Sequence, residues 1–319
     1  MTSSGSPERI TVAVTEAVVG QRIDRVVSLL LEVSRSVASD LIADGEVLLD
    51  GAVPSKPSVR LEAGQSMVLP EHVVPHAIQA DPTVTLSIRF VDDHVIVVDK
   101  PAGLVVHPGA GVHSGTLAQG ILAAFPEVAN VGEPARPGIV HRLDRGTSGL
   151  LMVARSAKAY EALTEQLRSR TVAREYRALV HGLPTANEGI IDAPIGRSLR
   201  HPTRQIVRAD GRPARTAYTV LERFEAVDVA FLSFQLETGR THQIRVHADA
   251  VGHPLVGDDR YGAVQSPHTI IRSALRPFLH AVLLGFEHPT TGEWMEFESP
   301  LPADLSDLLN AVRAIPARM

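Results

Sequence analysis

Apolar positions at the start of the chain recur first with the period of a helix and then with that of a strand. Ile23, Val26, Val27, Leu30 and Leu31 form one stripe at helical spacing, and a second helix is expected over 36–43. Gly45 closes that helix, and 46–50 followed by Gly51 reads as a strand entering a turn, with 59–61 and 67–69 continuing the strand pattern. The stretch 70–82 mixes prolines and histidines with little periodicity and reads as linker. From Leu86 the texture changes. Runs at 88–91 and 95–98 predict strand, turn, strand; 116–125 a helix; 150–154 a buried strand; and 157–168 an amphipathic helix. The second half is strand-rich at 172–180, 214–223 and 229–236. A hairpin follows at 280–287 and 294–298 around Pro289-Thr290-Thr291-Gly292, then a last helix near 303–313. The predicted organisation is an extension (1–20), a small α/β unit (21–69), a linker (70–85) and an α+β domain (86–319).

Composition narrows the chemistry. With no cysteine among 319 residues, disulfides, thiol nucleophiles and thiolate metal sites drop out. The first seven residues are polar and show no secretory signal, and no apolar run approaches a bilayer span, so a soluble, cytoplasmic protein is expected. The net charge of −5 is not that of a typical nucleic-acid binder. Its distribution differs from its sum: residues 168–215 hold ten arginines and no lysine against four acids, a local charge of +6. A general preference for arginine explains why only three of 31 basic residues are lysine, but not this clustering. Guanidinium forks bind phosphate bidentately, so Arg200, Arg204 and Arg208 become candidate RNA contacts.

The densest polar segment is His141-Arg142-Leu143-Asp144-Arg145-Gly146-Thr147-Ser148-Gly149-Leu150-Leu151, a turn placed directly before an apolar strand. Such a turn presents polar side chains at a sheet end. On spacing alone, ordinary turn and cap hydrogen bonds account for Asp144, Thr147 and Ser148. A serine-hydrolase elbow would need Gly-x-Ser-x-Gly, which Gly146-Thr147-Ser148-Gly149 does not provide. A metal site on His141 and Asp144 lacks a third ligand, and His242 and His247 stand five apart rather than four. No metal or cofactor is expected.

This segment resembles the signature of the RluA family of pseudouridine synthases. The resemblance implies that Asp144 is the essential catalytic group and that Arg142, beside His141, fills the space of an extruded base. Arg174-Glu175-Tyr176-Arg177-Ala178-Leu179-Val180 resembles the family segment whose tyrosine packs on the target base, which points to Tyr176. Thr238-Gly239-Arg240-Thr241-His242-Gln243-Ile244-Arg245-Val246-His247 resembles a third block, in which Arg245 is expected to pair with Asp144. Gly252-His253-Pro254-Leu255-Val256-Gly257-Asp258 and Leu279-His280-Ala281 extend the likeness, which runs from about Ile88 to Pro300. It implies a central, mainly antiparallel mixed sheet with flanking helices. The small unit resembles an S4-like RNA-binding domain through Arg22-Ile23-Asp24, Ser34-Arg35-Ser36 and Gly45-Glu46-Val47. That makes Arg22 and Arg35 candidate RNA contacts, although 21–64 carries five basic residues against seven acids.

The implied reaction breaks the N1–C1′ bond of uridine, turns the base and rejoins it through C5. It is redox-neutral and calls for an ionised carboxylate, which an adjacent cation stabilises. The implied partner is RNA, foremost 23S ribosomal RNA or a large-subunit precursor, since an S4-like domain ahead of this catalytic domain is similar to the large-subunit enzymes of the D type. A transfer-RNA target, a non-catalytic RNA-binding ribosome-assembly factor and a carboxylate-dependent hydrolase are the alternatives. A monomer is expected.

Overall fold

The computed structural model describes residues 9–33, 35–71, 78–109, 112–201, 203–262 and 266–316. Residues 1–8 of the expected extension, Ser34 of the S4-like pattern and 72–77 of the expected linker lie outside the described residues. Two compact units part between Ala77 and Ile78.

The smaller unit runs β1 (Arg9–Ala13), α1 (Ile23–Leu30), α2 (Arg35–Ala43), β2 (Leu48–Leu49) and β3 (Ser66–Pro70), with an antiparallel sheet in the order β1-β3-β2. Three of the five predicted stripe positions form its core: Ile23, Val26 and Val27 pack with Ala38, Leu41 and Ile42 of α2, while Leu31 is partly buried and Leu30 is exposed. Strand β1 lies in the stretch read as an extension. It is mostly exposed, so its ladder to β3 (Ile10 opposite Leu69, Val12 opposite Met67) holds it rather than apolar burial. The expected strand at 59–61 forms only an isolated bridge, Arg22 to Arg60. Its backbone instead pins the entry to α1, with Ile23 N donating to Val59 O and Leu61 N to Gln21 O.

The larger unit contains β4 (Ile88–Val91), β5 (Val95–Lys100), α3 (Leu117–Ala124), β6 (Ser148–Ala154), α4 (Ala157–Ser169), β7 (Ala173–His181), β8 (Glu188–Asp192), β9 (Ile195–Arg197), β10 (Gln205–Val207), β11 (Arg215–Phe224), β12 (Val229–Leu236), α5 (Gln243–Ala250), α6 (Thr269–Arg272), β13 (Leu279–Glu287), β14 (Trp294–Glu298) and α7 (Ala303–Arg313). Among the described residues nine of these strands form one sheet, ordered β4-β5-β6-β13-β7-β12-β11-β8, with β14 added to β13. Every pairing is antiparallel except β6 with β13, so the sheet is mixed and mainly antiparallel. Strands β9 and β10 make a separate ribbon. All seven residues of β6 are buried, and β5 and β6 pack in one core with Leu117 and Ile121 of α3 and Ala159 and Leu163 of α4. Helix α7 covers Leu179, Val229, Phe231 and Phe278 in a second apolar cluster.

From residue 78 the chain is held to this unit, although 70–85 reads as linker in sequence. Ile78 N donates to Pro134 O and Asp81 N to Gln119 O, and Ile78 packs on the main core. The sequence pattern did not mark β8, β9, β10, α5 or α6. The strands among these are short or exposed, and α6 is a single turn.

The parallel β6–β13 contact fixes where the polar turn before β6 sits. Gly149 at this contact has φ +111°, and a β-carbon there would strike the Ala281 carbonyl oxygen and lie 2.6 Å from the Ala281 nitrogen. Gly149→Ala therefore combines backbone strain with overpacking and is expected to destabilise the protein by about 3 kcal/mol. Chemical denaturation of the variant against wild type measures it; a loss well under 1 kcal/mol would show that the two strands part easily.

Candidate active site

The turn at 144–147 is fixed from three sides. Thr147 N donates to Asp144 O at 3.1 Å, Gly103 N to Arg145 O at 2.7 Å, and Arg276 Nη1 to Gly146 O at 3.0 Å. Arg276 is itself held by a bidentate pair with Asp304. Behind the turn, His141 Nε2 accepts from Met152 N at 3.0 Å, which places its proton on Nδ1. Burial, aided by the charge of Arg174, pushes the His141 pKa down to about 3, so the ring stays neutral. His280 Nδ1 meets Ser148 Oγ at 2.9 Å, and its Nε2 faces Ser299 O. These two histidines orient the strand end.

Facing the turn, the loop before α5 is tied by one side chain. Gln243 Oε1 accepts from Thr238 Oγ1 and Arg240 N, and its Nε2 donates to Arg215 O and Thr216 Oγ1. His247 is clamped between Thr216 Oγ1 and Ala193 O. The helix thus starts at a set height, preceded by His242 in a left-handed conformation at φ +59°.

Helix α5 carries Arg245 to Asp144. Its Nε and Nη2 donate to the two oxygens of fully buried Asp258 at 2.6 and 2.8 Å, leaving Nη1 at 3.4 Å from Asp144 Oδ2. Burial works against this charge. The hydrogen bonds and charge of Asp258, with Asp144 beyond, outweigh it and hold the guanidinium pKa above its ordinary value. Tyr261 lies beneath, its ring 5.0 Å from Arg245 Cζ. Its hydroxyl accepts from Gln205 N and stands 2.7 Å from His242 Nδ1. Burial keeps that phenol protonated, so it donates to Nδ1 and the remaining ring N–H, on Nε2, stands 3.9 Å from Asp144 Oδ1.

Lys100, at the end of β5, is fully buried and donates to Pro101 O and Leu104 O. Burial pushes its pKa down to about 7, against the pull of Asp144 and with the push of Arg276. Tyr176 on β7 is buried, which raises its phenol pKa, partly offset by Arg174.

Several of these groups line a cavity of about 470 Å³. Asp144, Arg245, Tyr176, Arg142 and His141 all line it, as do Arg136, Arg168, Arg174, Arg212 and Arg240. Asp144 is the one carboxylate among the described lining residues. The cavity is therefore strongly cationic around a single acid. It falls within the usual range for ligand sites, about 300–1,000 Å³. Among the described residues no group of three or more His, Asp or Glu is placed to hold a metal ion.

The other sequence candidates lie elsewhere. Arg208 is forked onto Asp210, Arg204 lies over the outer side of Tyr261 at 5.6 Å, and Arg200 is exposed between β9 and β10; none lines the cavity. Arg22 and Arg35 converge in the small unit on buried Asp24, at 2.7 and 3.0 Å, with both guanidinium groups about half exposed. Sequence reading missed Lys100, Asp258 and Tyr261, and also His107 and Arg136, which both line the cavity. Asp258 stood at the end of the Gly252–Asp258 block, the only signal available for it.

Comparison with known proteins bears on this geometry. The family model described as RNA pseudouridylate synthase matches residues 94–250, and that of the S4 domain matches 21–66. A protein of Nitrosomonas europaea named ribosomal large subunit pseudouridine synthase D is 44% identical, over 98% of this chain and 92% of its own. An uncharacterized RNA pseudouridine synthase of Bacillus subtilis is 42% identical, over 96% of this chain and 98% of its own. The solved structure titled human RNA pseudouridylate synthase domain containing 1 is 29% identical and aligns with a TM-score of 0.55, covering 74% of this chain and 98% of its own.

Two measurements probe the site's construction. Asp258→Ala leaves Arg245 buried beside Asp144 alone, so a stability loss of about 3–5 kcal/mol is expected by chemical denaturation. A loss under 1 kcal/mol would mean that Asp258 does not carry the pair. Lys100 binds its proton less tightly folded than unfolded, so the unfolded state holds more protons between about pH 7 and pH 10. Wild type should gain stability over Lys100→Met as pH rises through that window. A constant difference would place the Lys100 pKa outside it.

Proposed function

The chain belongs to the RNA pseudouridylate synthase family, and on that premise we propose that the arginine-lined cavity is its uridine site, with Asp144 as the catalytic group. The protein isomerises uridine in RNA to pseudouridine. The observation that supports the site is one acid, Asp144, facing a guanidinium that Asp258 already immobilises, inside a cavity whose other charged lining residues are arginines.

In the reaction the N1–C1′ bond breaks, the freed base turns, and C5 bonds to C1′; a proton leaves C5 and one is gained at N1. Atoms and electrons balance within the substrate and solvent. The target must first leave its stack, at a cost of a few kcal/mol. Tyr176, wedged in the cavity wall, is suited to stack on the extruded base and return about 1–3 kcal/mol. Arg142 is exposed at the rim, where its side chain would take the vacated place in the RNA. Arg245 Nη1 faces one oxygen of Asp144 at 3.4 Å and aims the carboxylate, while His242 Nε2 stands 3.9 Å from the other, beyond hydrogen-bond distance. Three routes for the carboxylate stay open: attack on the base, attack on C1′, or removal of a sugar proton.

The RNA we assign is large-subunit ribosomal RNA, 23S, supported by relatives named ribosomal large subunit pseudouridine synthase D. Residues 21–69 serve as an S4-type RNA-binding unit, using the twin guanidinium groups of Arg22 and Arg35 on Asp24. Among the described residues no helix is long and apolar enough to cross a membrane, in keeping with a cytoplasmic site of action. The protein is taken to act as a monomer.

Asp144→Asn tests the site. Pseudouridine formation on large-subunit RNA should fall below detection while filter binding of the same RNA stays within about threefold. Turnover near wild type would remove Asp144 from the chemistry. Mapping pseudouridines in a deletion strain tests the target: a site missing from 23S RNA supports it, and one missing from transfer RNA alone overturns it.

A further inference from the structure

Arg174 is the one cavity arginine whose charge is buried without an acid. Its residue is 8% exposed, and it has no ion-pair partner among the described residues. Arg245, equally buried, meets two carboxylates. Arg174 Nη2 reaches only the carbonyls of Leu236 and Glu237, at 3.3 and 3.5 Å, and its Nε has no partner. Those are long contacts, and carbonyl dipoles do not neutralise a guanidinium. Buried charges in proteins are paired, because desolvation is otherwise uncompensated.

The surroundings leave room for an anion. Gly239, also in the cavity lining, has an ordinary negative φ, so space rather than backbone conformation calls for glycine there. A β-carbon on it would lie 2.9 Å from Arg174 Nη1. Arg174 and Tyr176 are two apart on β7 and project from the same face of the sheet, about 6.5 Å from one another along the strand. That is the scale separating a nucleobase from its own phosphate.

We infer that Arg174 is a substrate-binding residue whose missing counter-charge is a phosphodiester flanking the extruded uridine. The inference rests on the cavity being the uridine site. It makes the strand segment a two-point gauge: Tyr176 takes the base and Arg174 the backbone, so that only a nucleotide swung fully out of its stack satisfies both. Most of the desolvation of Arg174 is already made in the free protein, so the contact forms at little further cost to the guanidinium.

The test uses the full chain and a ribosomal RNA stem-loop carrying the mapped uridine, with 2′-fluoro sugars at the target and the nucleotide before it so that a methylphosphonate is stable at either flanking linkage. Wild type should bind one of the two neutral-linkage RNAs about tenfold more weakly than the charged parent. Arg174→Gln should bind the parent about tenfold more weakly and lose nothing further on that neutral RNA. If Arg174→Gln does not fold, as its melting profile will show, Gly239→Ala keeps the charge but displaces Nη1 and should show the same blunted response. Undiminished sensitivity of the folded variant to both neutral linkages, or wild-type binding of the parent, overturns the inference while leaving the uridine site intact. Failure of wild type to form pseudouridine in the all-ribose stem-loop overturns both.

Discussion

The site depends on the buried pair between Arg245 and Asp258. A guanidinium has five N–H donors in a rigid plane, and here the edge formed by Nε and Nη2 is spent on one carboxylate. Asp258 is fixed in turn, its Oδ1 also accepting from Arg260 N and Tyr261 N. With that edge locked, the guanidinium cannot swing to meet Asp144 face on and close a second bidentate pair. It offers Nη1 alone at 3.4 Å, so the charge of Asp144 is supported while its oxygens remain open to a substrate. A lone arginine opposite Asp144 would form the tighter pair and sequester the acid.

The polar residues around this pair work by orientation. Gln243, His247, Thr216 and Thr238 spend their hydrogen bonds on one another and on the backbone, setting the start of α5 relative to β11. His141 and His280 do the same for the two ends of the turn-strand segment. Burial holds all three histidines neutral, which suits fixed tautomers better than proton transfer. The densest polar motif in the chain is thus mostly scaffold, and Asp144 is the one carboxylate it turns toward the cavity.

That division explains what sequence could reveal. Long elements with clean periods, such as α4, β7 and β12, were legible because burial alone selects them. Helix α5 was not. Ile244, Val246 and Ala248 alternate like a strand, and all are buried, yet side-chain hydrogen bonds from Gln243 and His247 make the segment helical. Strand β1 was hidden for the opposite reason: it buries little and lives on its ladder. Asp144, Arg142, Tyr176 and Arg245 were legible because they sit in motifs that resemble a family. Arg136, Lys100 and Asp258 come from three separate segments whose convergence only the fold reveals. Of the arginine run, Arg168, Arg174 and Arg212 line the cavity, whereas Arg200, Arg204 and Arg208 lie outside it.

The contrast between net charge and local charge follows from the same architecture. A protein of charge −5 does not hold RNA by indiscriminate attraction, so binding must rest on a few well-placed guanidinium groups. Inside the cavity seven arginines face one acid, and low-dielectric walls strengthen each of their interactions relative to water. Outside the cavity many arginines are already paired, as Arg208 is with Asp210, Arg276 with Asp304 and Arg313 with Glu222. Acids that cap the outer arginines weaken the pull on RNA in general and leave the cavity's field as the principal unpaired one. With the cavity as the proposed uridine site, selectivity for an extruded nucleotide over stacked duplex would come from where positive charge is left uncompensated rather than from how much the chain carries.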